Sequence, residues 1–186
     1  MRDRGVTLVE LLVVVAIVSI LVIALGFSYQ GWQGAYKVEK ATKDIYTDLT
    51  DARIRASTRN RMYFADFNFP APPPGNGTYR IAEDTDDDGE GDADADGVID
   101  AVHTILPPFP KTVEYPITWG PRIINFNKRG MVEPRGQALG GTICLTTTAN
   151  PDYDCIRISQ TRINMGRLTT QISAGGACDA ANCVAK

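Results

Sequence analysis

The sequence predicts an α+β protein in which a long N-terminal α-helix packs on a C-terminal antiparallel β-sheet domain. Three observations support this prediction. An almost unbroken apolar run covers residues 6–27, a helical apolar repeat continues to about residue 60, and short β-rich segments separated by Pro and Gly clusters fill the rest of the 186-residue chain. About 125 residues suffice for one domain with a modest core, so we expect no second globular unit.

The first predicted element is a helix over the apolar run. Residues 6–26 would span about 32 Å at ~1.5 Å per residue, and the hydrocarbon core of a bilayer is about 30 Å thick. The run holds a single charge, Glu10, which is costly in lipid and indicates a polar partner. Three interpretations fit the run: a secretory signal peptide cleaved near residues 24–26, a plain transmembrane anchor, and a filament-forming helix whose leader is removed after Gly5.

The residues around Gly5 resemble the signal of a known family. Residues 5–12 read Gly-Val-Thr-Leu-Val-Glu-Leu-Leu, which is similar to the class III signal of type IV pilins and type II secretion pseudopilins, with valine where phenylalanine is usual. The resemblance implies that a prepilin peptidase removes the leader, residues 1–5, and that the new N-terminus at Val6 is N-methylated. It also implies storage in the inner membrane by a single helix over residues 6–27, followed by assembly with other pilins or pseudopilins into a periplasmic or cell-surface filament.

A physical argument assigns a role to Glu10. When helices stack side by side with a small axial stagger, Glu10 of one subunit approaches the α-amino group of Val6 in a neighbour, and two costly charges are neutralised together. At ~4 Å and an effective dielectric of about 20, the pair attracts by roughly 4 kcal/mol before desolvation is subtracted. We therefore expect Glu10 to set the register of subunit docking.

The second predicted element is an amphipathic stalk helix over residues 28–60. Apolar residues recur every three or four positions, while charged residues occupy other faces. Two pairs, Glu39 with Lys43 and Asp51 with Arg55, are spaced for ion pairing with the acid first, the favourable order. Interior glycines mark the expected bends. The apolar positions are Val38, Ala41, Ile45, Leu49, Ala52 and Ala56, and the glycines are Gly26, Gly31 and Gly34.

Residues 61–186 are predicted to form a β-rich globular domain, periplasmic by the resemblance, on a small antiparallel sheet. We expect the apolar face of the stalk to pack on this sheet. The predicted strands cover residues 61–67, 79–82, 122–127, 142–147, 155–160 and 168–172.

Several segments beyond the N-terminus also resemble a particular branch of the family. These are the Ala- and Arg-rich stalk at 51–56, the string Ile-Ile-Asn-Phe-Asn-Lys-Arg-Gly at 123–130, Ile-Arg-Ile-Ser at 156–159 and Gly-Arg-Leu at 166–168. Together they are similar to the GspH/FimT branch of minor pilins and pseudopilins. The resemblance implies a position at or near a filament tip, where such subunits prime assembly or handle cargo.

The four cysteines, Cys144, Cys155, Cys178 and Cys183, lie on what would be the outer side of the membrane. An even number of cysteines in an exported domain favours disulfides. A turn signal at 150–152 separates the first two, so we expect a hairpin to place Cys144 opposite Cys155, and Cys178 and Cys183 to close a small C-terminal loop. The alternative is a four-thiolate metal site, although neither pair has the tight spacing of most structural zinc sites.

Residues 83–100 form an acidic loop with two overlapping D-x-D-x-D-G-x-x-D strings. In calcium loops alternate carboxylates turn inward, glycine permits a sharp bend, and the residue after glycine offers a carbonyl. The strings resemble the calcium loops of EF-hands, dockerins and thrombospondin type 3 repeats. Ala95 and His103 stand where the EF-hand has its last glutamate, so we expect a modest affinity of about 10⁻⁴ to 10⁻³ M. The predicted calcium ligands are Asp84, Asp86, Asp88, Glu90, Asp92, Asp94, Asp96, Val98 and Asp100.

The alternative interpretation of this loop is a solvated acidic linker. The loop contains 10 of the 22 acidic residues and none of the 19 basic ones, which leaves 12 acidic against 19 basic residues, a net +7, in the rest of the chain. Ten uncompensated carboxylates in a short span repel one another, so we expect folding of the loop to be tied to a cation.

The sequence does not support an enzyme. The single histidine, His103, has no serine or cysteine nucleophile motif around it, and we interpret it as a surface or loop residue. A Walker-type phosphate loop is also missing from the sequence, so any motor that drives assembly is another protein.

DNA binding is the main alternative function. Arginines and lysines of the β domain would form a basic surface that follows a phosphate backbone. DNA-uptake members of the FimT group carry a second arginine soon after a Gly-Arg pair, whereas here Gly166-Arg167 is followed by Leu168. The candidate DNA contacts are Arg162 and Arg167. A simple membrane-anchored calcium-binding module is a third possibility.

Overall fold

The described residues form one long helix followed by eleven short strands, with a 3₁₀ turn before the last strand. This is the expected α+β architecture. The structure is a computed structural model that describes residues 7–67, 76–89, 91, 99, 101–119, 123–133 and 141–186, and it describes the backbone but not the side chains of residues 23–31.

The helix, α1, spans Leu8–Arg59. The Thr7 hydroxyl caps its first turn by accepting the backbone N–H of Glu10 at 3.3 Å. Asn60 adopts a left-handed conformation and ends it. The predicted apolar segment and stalk therefore form one helix, which continues through the three glycines at which we expected bends.

The large apolar side chains of the first turns of α1, from Leu8 to Val22, are between 49% and 79% exposed. Within the part of the chain that is described, none of the helices has an apolar stretch that reaches across a bilayer. Part of the membrane span predicted for residues 6–27 is not described: residue 6 and the side chains of residues 23–27 fall outside the described part of the chain.

The strands of the described part of the chain form two antiparallel sheets after α1, where a single sheet was predicted. The first sheet has the strand order β3-β2-β1-β6-β7, with β4 also paired to β2, and the second has the order β11-β10-β9-β8-β5. The strands are β1 (Tyr63–Phe67), β2 (Gly77–Glu83), β3 (Thr104–Ile105), β4 (Lys111–Val113), β5 (Ile117–Trp119), β6 (Ile123–Phe126), β7 (Val132–Glu133), β8 (Gly141–Leu145), β9 (Cys155–Ile158), β10 (Ile163–Leu168) and β11 (Cys183–Ala185).

The last predicted strand, residues 168–172, is wrong. The strand β10 ends at Leu168, and residues 172–174 form the 3₁₀ turn. The Asp154 carboxylate accepts the backbone N–H of Leu168 at 2.7 Å and the side-chain amide of Gln171 at 2.6 Å. Because side-chain oxygens bind this segment, the backbone turns away from the sheet after Leu168.

The main core lies between the stalk half of α1 and both sheets. Val38, Ile45 and Leu49 are fully buried in one cluster that includes Tyr63 of the first sheet and Ile156 of the second. The predicted apolar face of the stalk is confirmed, and burial of each such large side chain contributes about 1.5–3 kcal/mol. The two predicted ion pairs are also present, at 3.5 Å for Glu39 with Lys43 and 2.7 Å for Asp51 with Arg55.

Candidate functional site

The acidic loop begins with a turn that Asp84 holds together. This carboxylate is fully buried, and it accepts the backbone N–H groups of Asp87 at 2.9 Å and Gly89 at 3.1 Å. Gly89 has φ of 75°, a left-handed conformation that favours glycine. The sharp bend that the first D-x-D-x-D-G string predicts is therefore present at its glycine.

Asp84, Asp86 and His103 converge beside this turn. Their ligand atoms all lie within 4.8 Å of one another, and they form the one such group in the described part of the chain. The Nδ1 atom of His103 is 3.7 Å from the carboxylate of Asp86 and 4.0 Å from that of Asp84. This geometry is compatible with a small cation held between one imidazole and two carboxylates.

His103 lies in the loop before β3, as one of the two interpretations has it, but the interpretation as a surface residue is wrong. The residue is only 5% exposed, and its ring lies 5.0 Å from the ring of Phe64. His103 directly precedes β3, which pairs with β2 in the first sheet. In the sequence His103 stands where the EF-hand has its last glutamate, but it was not predicted as a ligand because a carboxylate is expected at that position.

The electrostatics of the turn distinguish Asp84 from Asp87. Burial raises the pKa of the Asp84 carboxyl, and its hydrogen bond with Asp86 raises the pKa further, against the opposing effect of the two backbone donors. Asp87 is turned toward Lys128, whose Nζ lies 2.7 Å away and lowers the pKa of the Asp87 carboxyl. A cation bound between Asp84 and Asp86 would relieve the crowding of their two carboxyls.

The chemistry of this group fits calcium only in part. Carboxylate oxygens are the ligands that calcium takes, whereas the imidazole of His103 is a ligand typical of transition metals. Asp88 is described but does not belong to the convergent group. The other predicted calcium ligands, Glu90, Asp92, Asp94, Asp96, Val98 and Asp100, lie outside the described residues.

Gly91 and Ile99 of the acidic loop pack on the face of the first sheet that carries Phe64 and that is turned away from the main core. A side chain at Gly91 would come within 2.9 Å of the Phe64 ring, so the close approach requires glycine. Ile99 is buried against Phe64 in a second apolar cluster, and its carbonyl accepts a hydrogen bond from Arg80 at 3.3 Å. Arg80 also forms a buried ion pair with Asp66 at 3.1 Å. Order in the loop is therefore coupled to the sheet beneath it.

Two disulfides connect the second sheet to the C-terminal segment. Cys144 is bonded to Cys178, and Cys155 is bonded to Cys183. Disulfides were predicted and are present, so the four-thiolate metal alternative is wrong, but the predicted pairing is also wrong. Cys144 and Cys155 do lie opposite each other on β8 and β9. Directly opposed residues have Cβ atoms about 4.5–5.5 Å apart, which is wider than a disulfide normally allows.

The candidate DNA contacts occupy different environments. Arg167 lies in β10, donates a hydrogen bond to Asn150 and sits 4.0 Å from the Asp152 carboxylate. With Lys186 it lines a cavity of about 430 Å³. Arg162 lies in the exposed turn before β10, where its backbone N–H donates to Ser159. Arg167 is thus engaged by its own domain.

Glu10 lies in the first turn of α1, on the exposed part of the helix. The predicted cleavage and methylation site, Gly5 and Val6, lies outside the described residues.

Residues 1–26 match the family model of the prokaryotic N-terminal methylation motif. This match marks a type IV pilin-like N-terminus, as the resemblance over residues 5–12 predicts. No curated protein and no solved structure matches the chain.

Proposed function

We propose that this chain is a non-catalytic filament subunit, a minor pilin or pseudopilin of the GspH/FimT type, that polymerises through α1. The observation that carries the proposal is the methylation motif at the start of a helix whose apolar side chains are exposed. A continuous apolar surface of this kind indicates a membrane or a protein partner. A subunit of a type IV pilus or a type II secretion filament meets both surroundings. It lies in the membrane before assembly, and it contacts the helices of neighbouring subunits after assembly.

In this proposal the mechanism has two steps: the leader is cleaved, and α1 then moves from the membrane into the filament. A prepilin peptidase removes the leader after Gly5, and Val6 becomes the methylated N-terminus of a subunit held in the inner membrane with its β domain in the periplasm. On assembly the apolar half of α1 replaces lipid contacts with contacts to the helices of neighbouring pilins. Glu10 meets the α-amino group of Val6 in an adjacent subunit and sets the axial register.

The β domain provides the surface that distinguishes this subunit from its neighbours. We further propose that a cation, calcium in the first instance, orders the acidic loop through Asp84 and Asp86. The buried position of Asp84 and the packing of Gly91 and Ile99 on the first sheet support this step. A cation at this site would stabilise the domain because it binds the folded loop and not the unfolded chain.

The processing step is tested on the protein recovered from its native cells. Mass spectrometry of the intact chain is expected to show an N-terminus at Val6 that carries one additional methyl group. An N-terminus after Gly26 would assign residues 1–26 to a secretory signal peptide and contradict the proposal.

The assembly step is tested with Glu10→Ala and Glu10→Gln. Both variants are expected to lose cross-links to partner pilins while remaining in the membrane fraction. Asp51→Asn is the matched control, since it neutralises an exposed acid of the same helix that pairs within its own chain with Arg55. Assembly that is unchanged in both Glu10 variants would contradict the docking role.

DNA binding remains the alternative. The engagement of Arg167 by Asn150 and Asp152 does not favour it. A salt-dependent mobility shift with the full-length protein in detergent, abolished by Arg167→Ala, would be needed to adopt it.

A further inference from the structure

Two aromatic side chains form a stacked pair on the exposed surface of α1. The rings of Trp32 and Tyr36 have centroids 5.9 Å apart and planes inclined by 22°. The two residues are 64% and 59% exposed. Large aromatic side chains at this exposure are costly in water and indicate a partner surface.

The pair points away from the β domain. The backbone of α1 meets the domain at Gly34, where a side chain would lie 3.4 Å from Cβ of Ala149, and at Val38, which is fully buried. At about 100° per residue, Trp32 is rotated by about 200° from Gly34, and Tyr36 by the same angle from Val38. The aromatic pair therefore occupies the opposite side of the helix from the domain.

The height of the pair along α1 places it just beyond the apolar segment. If residues 6–26 fill the hydrocarbon core, Trp32 lies about 9 Å further along the axis, at ~1.5 Å per residue. Side chains of a helix lean toward its N-terminus, so the rings reach back toward the apolar segment. The polar interface of a bilayer extends roughly 5–8 Å beyond the hydrocarbon on each side. The ring of Trp32 falls within this layer. Tyr36 starts about 15 Å beyond residue 26, so it lies above the layer and stacks on Trp32 from the aqueous side.

Tryptophan is enriched at the level of the headgroups at the ends of membrane helices, because its ring has an apolar body and a polar N–H. Lys40 and Lys43 lie about 21 and 26 Å beyond residue 26, above this layer. Lys43 is held within its own chain by Glu39 at 3.5 Å and lies 5.4 Å from the centroid of the Tyr153 ring.

We infer that Trp32, with Tyr36 stacked on its aqueous side, is a lipid anchor that sits among the headgroups of the periplasmic leaflet and sets the depth of α1 before the subunit assembles. The inference rests on the proposed membrane storage of the subunit. The point at which the domain meets α1, at Gly34, then lies directly above the membrane surface.

The test uses the full-length chain reconstituted into vesicles of phosphatidylcholine and phosphatidylglycerol. Trp119→Phe leaves Trp32 as the single tryptophan, since the sequence has two. Its fluorescence is expected to be quenched severalfold more by lipids brominated near the headgroup end of the acyl chains than by lipids brominated near the chain ends. Trp32→Phe is the matched control, because the remaining Trp119 packs against Phe67 in the domain core at 6.1 Å and should not be quenched.

Flotation of the same vesicles separates this inference from the proposed function. Protein that floats without quenching of Trp32, or with quenching mainly from the chain ends, would overturn the inference and leave membrane storage intact. Protein that does not float would contradict both. A blue shift of Trp32 emission that depends on protein concentration in detergent and is absent in vesicles would assign the pair to a neighbouring subunit and overturn the lipid anchor. If Trp119→Phe fails to fold, the difference in quenching between the wild type and Trp32→Phe gives the same comparison.

Discussion

Cys144 and Cys155 lie directly opposite each other on β8 and β9, yet each is bonded to a different cysteine of the C-terminal segment. The two disulfides enclose sequence separations of 34 and 28 residues and interleave along the chain. Loops of this size correspond to a stabilisation of about 3–4 kcal/mol each in the chain-entropy model. The C-terminal segment is thus attached to two neighbouring strands of the second sheet.

The disulfide pairing gives the first prediction. Peptide mapping without reduction is expected to recover Cys144 linked to Cys178 and Cys155 linked to Cys183. The double variant Cys144→Ala/Cys178→Ala should lower the free energy of unfolding by about 3 kcal/mol in denaturant titration. A peptide that links Cys144 to Cys155 would contradict the structure.

The buried ion pair of Arg80 and Asp66 gives the second prediction. Arg80→Met is expected to destabilise the domain by about 3 kcal/mol, because it removes a cation from beside a buried carboxylate. Asp66→Leu combined with Arg80→Met should lose less than the sum of the single variants, as measured by a double-mutant cycle in urea. Strict additivity of the two losses would show that the pair does not act as a unit.

Cation binding by the acidic loop gives the third prediction. Free calcium about tenfold above its Kd should stabilise the wild type by about 1.4 kcal/mol, and a chelator should reverse the effect. Asp84→Asn is expected to abolish this gain, because Asp84 orders the turn and belongs to the group proposed to hold the cation. Asp87→Asn is the matched control, since Asp87 pairs with Lys128, and it should retain the gain.

Calorimetry and thermal unfolding measure this binding on the full-length protein in detergent. The absence of both heat and stabilisation at millimolar calcium would contradict a calcium site. Repeating the titration with Mn²⁺ and Zn²⁺ tests whether the imidazole of His103 makes the site prefer a transition metal.

Two neighbouring carboxyls give the fourth prediction, which concerns pH. Burial raises the pKa of Asp154 above its ordinary value of 3.8. The folded state then holds the proton more tightly than the unfolded chain, so this group lowers stability as pH rises through the window above 3.8. Asp154→Asn should therefore become more stable relative to the wild type as pH rises through that window, in urea titrations.

Asp152 should show the opposite slope in a different window. Its hydrogen bond with Lys186 lowers the pKa of the Asp152 carboxyl below its ordinary value of 3.8. The group contributes stability that is present above this value and lost as pH falls below it. Asp152→Asn should become less stable relative to the wild type as pH rises through the window below 3.8. Parallel pH profiles for the two variants would contradict these environments.

The parts of the fold that the sequence predicts are those whose signals are local. The buried face of α1 follows from a repeat of three and four residues, and its ion pairs follow from a spacing of four. Strands β1, β2, β6, β8 and β9 lie within the predicted segments or differ from them by two residues at most. The short strands β3, β4, β5, β7 and β11 carry too few residues for an alternating pattern, and their partners lie far away in the chain.

The candidate cation site shows the same division. The D-x-D-x-D-G string predicts the turn at Asp84 and its bend at Gly89, because successive residues of one loop provide both. It does not predict His103, which reaches the site only because β3 returns to pair with β2. The fold likewise determines that Asp87 turns to Lys128 and not to the cluster.

The sequence by itself therefore determined the N-terminal signal, the long amphipathic helix, the acidic turn and the oxidised state of the cysteines, since each depends on residues close together in the chain or on composition. Only the tertiary structure decided which cysteines bond, that the strands form two sheets, and that His103 lies buried beside Asp84 and Asp86. These features depend on which distant segments meet, and that is set by packing around a shared core, which a local pattern does not encode.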